Sequence, residues 1–150
     1  METLSLSSPC GPLTLFAEGG QLQRLCFGTA PSASAGTPLL REAALQLDAY
    51  FAGRLRTFDL PLAPAETPFA RDIRAALLCI PCGETRSYAA LAAAAGHPGA
   101  CRAAGTACGK NPLPIIVPCH RVVRSDGTGG SYSGGQHRKQ LLLRLETRYA

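Results

Sequence analysis

Hydrophobic and polar residues alternate in two short runs near the start of the chain, 11–17 (Gly-Pro-Leu-Thr-Leu-Phe-Ala) and 21–27 (Gln-Leu-Gln-Arg-Leu-Cys-Phe). Alternation at period two marks strands with one buried face. Glu18-Gly19-Gly20 between the runs supplies a hairpin turn. Residues 30–37 are small and polar and read as a surface loop. From Pro38 the hydrophobic period lengthens to that of a helix ending near Ala52, with Leu40, Ala44, Leu47 and Phe51 on one face. A short strand is expected at 57–60. Pro61, Pro64 and Pro68 then make 61–68 a semi-rigid connector, which divides the chain into 1–66 and 67–150.

Beyond the connector the pattern is helical. Thr67 is placed to cap a helix that has Pro68 at its first position and continues through Phe69, Ile73, Leu77 and Leu78. Ser87 is placed to cap a second helix over 88–95, which Gly96 ends in the left-handed conformation glycine favours. Pro98 opens a third helix reaching about Cys108. Two short helices joined by a His97-Pro98 turn suggest a helix-turn-helix. A loop rich in Gly and Ser covers 125–135, and a final helix runs over 136–149. On that helix Leu141, Leu142, Leu145, Glu146 and Tyr149 fall within an arc of about 140°. Glu146 sits at the edge of this stripe, where it either reaches solvent or meets a partner such as a histidine.

Charge adds a second division. The chain carries 15 Lys+Arg against 10 Asp+Glu, net +5, but residues 1–70 sum to −2 and residues 71–150 to +7. A basic half beside a slightly acidic one suits a polyanion-binding module on a scaffold. No apolar run is long enough for a membrane span. The first residues, Met-Glu-Thr-Leu-Ser, lack the basic-then-apolar pattern of a secretory signal. Seven cysteines fit a disulfide framework badly, which points to free thiols in a reducing compartment.

The chemistry concentrates in Asn111-Pro-Leu-Pro-Ile-Ile-Val-Pro-Cys119-His120-Arg121-Val122-Val123. An apolar run delivers a cysteine with a histidine and an arginine directly after it. Thiolate is the nucleophilic form, so a reactive Cys119 needs a group that takes its proton or stabilises its charge. His120 is the candidate. The expectation is a thiol ionised in place, with Glu146 available to orient the imidazole. The third helix is nearly all small residues, with Arg102 as its one long polar side chain. Such a face approaches a nucleic-acid groove closely without reading its sequence, and one Arg can fill the space of a displaced base. Cys79-Ile80-Pro81-Cys82 is a Cys-x-x-Cys pair that Cys101 and Cys108 could extend to four zinc ligands, but the second spacing and the helical setting fit poorly. A redox pair would be expected at the start of a helix, and this one follows a helix.

Taken together, Gly83-Glu84-Thr85-Arg86-Ser87-Tyr88, Arg102 in its Ala/Gly helix, Asn111-Pro112, Pro118-Cys119-His120-Arg121-Val122, Ser131-Tyr132-Ser133-Gly134-Gly135 and Glu146 resemble, in order and spacing, the O6-alkylguanine-DNA alkyltransferases. The resemblance implies an α+β fold: a small ribonuclease H-like sheet-and-helix domain, then a mostly helical winged helix-turn-helix domain carrying the acceptor cysteine. It implies irreversible, single-turnover transfer of the alkyl group from O6-methylguanine in DNA to Cys119, and leaves O4-methylthymine open as a second substrate. Cys119, His120, Glu146 and Asn111 would be catalytic, with a water between thiol and imidazole. Tyr132, Ser133, Val122 and Gly130 would hold the base, the Cys119 and Val122 carbonyls reading its exocyclic amine. Tyr88, Arg102, Ala103, Gly105 and Arg121 would contact DNA, entered from the minor groove, with Tyr88 against the 3′ phosphate and Arg102 in the gap.

The implied partner is double-stranded DNA containing O6-alkylguanine, met by a monomer with no membrane association, in the cytoplasm, or in the nucleus of a eukaryote. No cofactor and no metal are expected: some relatives hold an N-terminal zinc, but His97, His120 and His137 all lie in the C-terminal half. Two other readings stay open on sequence. One is a helix-turn-helix regulator in which Cys119 is structural. The other is a thiol hydrolase using Cys119, His120 and Glu146.

Overall fold

The structure, a computed structural model, describes residues 1–29, 36–130 and 132–149. Most of the loop read at 30–37, and Ser131 of the Ser-Tyr-Ser motif, lie outside the described residues. The chain divides into two compact units, Met1–Ala63 and Pro64–Ala150.

In the first unit, β1 (Glu2–Leu6), β2 (Leu13–Glu18) and β3 (Gln21–Phe27) form an antiparallel sheet in sequence order. The β2–β3 hairpin closes at Glu18↔Gln21, and Gly19 and Gly20 both take positive φ, 62° and 76°. That pair of conformations lets a two-residue turn follow the right-handed twist of its strands. β1 was not anticipated. Its alternation is short, and its pairing from Glu2↔Ala17 to Leu6↔Leu13 is a property of β2 as much as of itself.

The helix α1 (Pro38–Phe51) packs on this sheet and buries Leu40, Ala43, Leu47 and Tyr50 alongside Leu13, Leu15, Leu22 and Leu25. The buried face is turned by one residue from the expected one, with Ala43 and Tyr50 inside instead of Ala44 and Phe51. Tyr50 is held between two rings, 5.2 Å from Phe51 and 5.4 Å from Phe58. No strand forms at 57–60. The chain meets β3 slightly later: Leu22 N–H donates to the Pro61 carbonyl and Ala63 N–H donates to the Leu22 carbonyl, each at 2.8 Å. Pro61 and Pro64 flank this single bridge, and prolines without N–H groups cannot extend a ladder.

In the second unit, α2 (Pro68–Leu78) starts as expected, with Thr67 Oγ1 accepting from Ala70 N–H at 3.1 Å. Ile73 and Leu77 are buried, but Leu78 is exposed. Ser87 caps α3 (Tyr88–Ala94) by accepting from Ala90 N–H at 3.0 Å. The next helix, α4, spans Cys101–Gly109 and starts later than Pro98. The cause is Gly99, whose φ of 86° cannot belong to a right-handed helix. His97, in the α3–α4 turn, bonds Asp72 at 2.8 Å and meets the Phe69 ring edge-on, which ties the turn to α2. α5 is Gly135–Tyr149.

Two short strands, β4 (Arg86–Ser87) and β5 (Val122–Val123), pair in parallel and set the start of α3 beside the segment that follows Cys119. The architecture is α+β. No helix among the described residues is long and apolar enough to cross a membrane.

Candidate active site

The reactive segment is built on strain and on one asparagine. Between α4 and Cys119 the chain makes a buried turn in which Ile115 takes φ 74° at 1 % exposure. A β-branched residue pays a steric penalty in that region, so the surroundings must impose it. Asn111 is the fastener. Its Oδ1 accepts from Leu113 N–H at 3.1 Å, and its Nδ2 donates to the Val117 carbonyl at 3.0 Å and to Cys119 Sγ at 3.2 Å. Cys119 opens a 3-10 turn, Cys119–Arg121, and is 4 % exposed.

Behind the thiol lies a charged network with almost no access to water. His120 Nε2 is 2.6 Å from Glu146 Oε2. Arg121 donates to both carboxylate oxygens, Nε to Oε1 at 2.8 Å and Nη2 to Oε2 at 3.0 Å, and its Nη1 donates to the Ile80 carbonyl at 2.7 Å. Glu146 is therefore not solvated. It is wholly buried, because its partners arrive from 25 and 26 positions away and no helical pattern announces them. The buried face of α5 is Lys139, Leu142 and Glu146; it shares Leu142 and Glu146 with the stripe read from the sequence, while Leu141, Leu145 and Tyr149 are half-buried. Arg121, expected at the DNA surface, is 5 % exposed and committed to Glu146 and Ile80.

Lys139 is the residue that sequence reasoning missed. It is fully buried, donates to the Val122 carbonyl at 2.6 Å, and sits 5.9 Å from the centre of the Tyr88 ring. Its spacing of three from Leu142 and seven from Glu146 was the available signal. The Val122 carbonyl, expected to read the base, already accepts this ammonium.

These surroundings set the protonation states. Burial pushes the Cys119 thiol above its ordinary value, against the opposing pull of the Asn111 hydrogen bond and the Lys139 charge. Burial thus works against the thiolate expected from sequence, and the Asn111 bond and the Lys139 charge work for it. Burial pushes His120 down, and the Glu146 bond opposes this. Burial lowers Lys139, while Cys119 and Cys108 raise it. Cys108 is pushed up to about 12, mainly by burial, and is inert as a nucleophile near neutrality. His120 Nδ1 has no hydrogen-bond partner among the described residues. With Nε2–H given to Glu146, Nδ1 is the nitrogen left to act as a base, a tautomer assigned from the network.

Around this centre, Tyr132 meets the His120 ring edge-on at 6.4 Å between centroids. Tyr88 is half-buried at the start of α3, and Gly130 and Gly105 both lie against its ring. Arg102 and Ala103 are exposed on α4, and Ser133 is exposed in the loop before α5. Among the described residues no set of three or more His, Cys, Asp or Glu is placed to hold a metal ion.

Known proteins resemble the chain in sequence and fold. Residues 68–148 match the model for the DNA-binding domain of 6-O-methylguanine DNA methyltransferase, and residues 3–64 match that for its ribonuclease-like domain. The chain belongs to the 6-O-methylguanine DNA methyltransferase family. Methylated-DNA–protein-cysteine methyltransferases of Mycobacterium tuberculosis and Methanosarcina barkeri are 47 % and 43 % identical to it over 148 residues. The first alignment covers 95 % of this chain and 90 % of the relative, the second 94 % of each. A crystal structure of the Mycobacterium tuberculosis OGT in complex with DNA superposes with a TM-score of 0.88 at 45 % identity, covering 100 % of this chain and 95 % of that one. A family member from Methanococcus jannaschii superposes with a TM-score of 0.66 at 26 % identity, covering 96 % and 93 %.

Proposed function

We propose that this protein repairs alkylated DNA by direct reversal, moving the alkyl group from O6 of guanine to its own Cys119 once per molecule. The single observation that carries the chemistry is Cys119 Sγ, held by Asn111 beside a buried His120–Glu146 pair. The thiol proton passes to His120 Nδ1, by way of one water, and Glu146 stabilises the imidazolium. The thiolate attacks the alkyl carbon in line, so an S–C bond forms as the C–O6 bond breaks. The electron pair returns to the guanine ring, where the Tyr132 hydroxyl donates a hydrogen bond to the developing charge; the released base takes a proton from solvent and the imidazolium returns its own. Asn111 and Lys139 favour the transient thiolate, which burial opposes. No group in the site can take a methyl group from a thioether, so the product is permanent.

DNA is the partner. The exposed Arg102 and Ala103 of α4 present a narrow, small-residue face, with Arg102 able to occupy the gap left by an extruded nucleotide. Tyr88 stands against the 3′ phosphate and Ser133 near the guanine O6. The relatives named above come from bacteria and an archaeon, which favours the cytoplasm.

The test is mass. Incubation with O6-methylguanine duplex should add one methyl to the peptide containing Cys119, and product should plateau at one equivalent per protein. Cys119→Ala should bind DNA and transfer nothing, since phosphate contacts carry most of the affinity. Intact protein without an adduct would leave the regulator reading. Product rising beyond one equivalent would mean hydrolysis.

A further inference from the structure

Glu146 is a buried carboxylate shared between two cations of different kinds, and that sharing bears on whether His120 can act at all. We infer that Arg121 is a positioning residue for the transfer: its fork holds Glu146 ionised, which keeps the His120 proton on Nε2 and leaves Nδ1 bare to receive the Cys119 proton. The inference rests on the alkyl-transfer reading and extends it to a residue that touches neither base nor thiol.

The geometry commits the Arg121 side chain to the interior, where it is 5 % exposed. All three outer nitrogens of Arg121 are satisfied inside the protein, two by Glu146 and one by the Ile80 carbonyl. That last bond matters because it fixes the guanidinium from a second direction. Ile80 follows the end of α2, so the fork is aimed by a different element from the one carrying Glu146. Lys139, also fully buried, is bonded to the Val122 carbonyl. His120 and Arg121 both contact the carboxylate.

Consider the site with the Arg121 charge removed. A buried carboxylate that loses a cation is shifted toward its neutral form. Either Glu146 takes a proton and donates it to His120 Nε2, which moves the imidazole hydrogen to Nδ1, or His120 becomes a standing imidazolium paired to Glu146. Both states put hydrogen on Nδ1 and abolish the base. The groups facing His120 pull in opposite directions, with Arg121 on the lowering side. Burial lowers it, Glu146 raises it, and Arg121 and Lys139 lower it, while the Tyr132 ring faces it as a neutral group. Removing Arg121 therefore moves proton loss from the His120–Glu146 pair to higher pH.

The experiment is a pH series of single-turnover transfer from O6-methylguanine duplex by the wild type, Arg121→Gln and Arg121→Lys. Because each molecule reacts once, amplitude reports the folded fraction and the rate constant reports the chemistry. Unfolding of a variant thus lowers the first without imitating a change in the second. For Arg121→Gln the rising limb of the rate constant should move up by about one pH unit or more, which is about a tenfold loss on the limb at fixed pH. The rate should recover in more alkaline buffer. Arg121→Lys keeps the charge and should keep the wild-type limb at reduced amplitude. Limbs that coincide in all three proteins would overturn the inference, as would a limb moved equally by both substitutions. A wild type that forms no Cys119 adduct would instead overturn the transfer reading itself.

Discussion

Gly130→Ala tests how the loop before α5 supports Tyr88. Gly130 has φ +69°, and a Cβ built there would lie 2.7 Å from Tyr88 Oη, 3.0 Å from Cε2 and 3.3 Å from Cζ. Ordinary contact begins at 3.4 Å, so the hydroxyl would have to retreat by 0.7 Å and Cε2 by 0.4 Å. Left-handed backbone costs alanine about 1–2 kcal/mol, and a displaced ring adds about 1 kcal/mol, for a total of roughly 2–3 kcal/mol. For a chain of this size that lowers Tm by roughly 5–10 °C. The displacement should fall on the step proposed for Tyr88, extrusion of the nucleotide, and spare the attack by Cys119. The assay compares single-turnover rate constants on paired duplex and on a single strand with the same lesion, where little extrusion is needed. The duplex rate should fall and the single-strand rate should hold. Equal losses on both substrates would refute the reasoning, because the glycine would then be serving the chemistry or the fold alone.

Two further outcomes follow from the site. Asn111→Ala removes the bonds to Leu113 N–H, the Val117 carbonyl and Cys119 Sγ. A urea melt should show a loss of about 1–3 kcal/mol, with transfer slowed at neutral pH; a wild-type rate constant would detach the asparagine from the thiol. The pH dependence of stability has a definite sign. Burial holds folded His120 below its ordinary 6.5, so as pH falls beneath 6.5 the unfolded chain gains a proton that the fold refuses, and stability is lost. Cys119, held above its ordinary 9.0, gives the opposite slope in alkali. Urea melts across this range check both limbs, and a Tm rising on acidification would contradict the burial of the imidazole.

Whatever depends on neighbours in the chain was legible in the sequence. Thr67 and Ser87 cap their helices because a hydroxyl three residues before an N–H is a local arrangement, and Gly19-Gly20 turns because only its own φ angles are involved. The Cys119-His120 pair and the small-residue helix around Arg102 were legible for the same reason, as runs of adjacent residues. Partnerships across the fold were not, apart from His120–Glu146, which the family resemblance implied. The strand β1 has meaning only beside β2, and the phase of α1 was set by the sheet it covers. The strand expected at 57–60 gave way to a single bridge at Leu62.

The site shows the same division more sharply. Glu146, Arg121 and Lys139 look like surface charges in one dimension, and all three are buried. A charge enters an apolar interior only when counter-charges or hydrogen-bond partners are placed there to meet it. Here those partners come from the end of α2, the turn after Cys119 and α5. Residue types and their order named the thiol and its histidine. Tertiary packing decided which nitrogen of that histidine is bare, since desolvation and long-range hydrogen bonds are not properties of any segment alone.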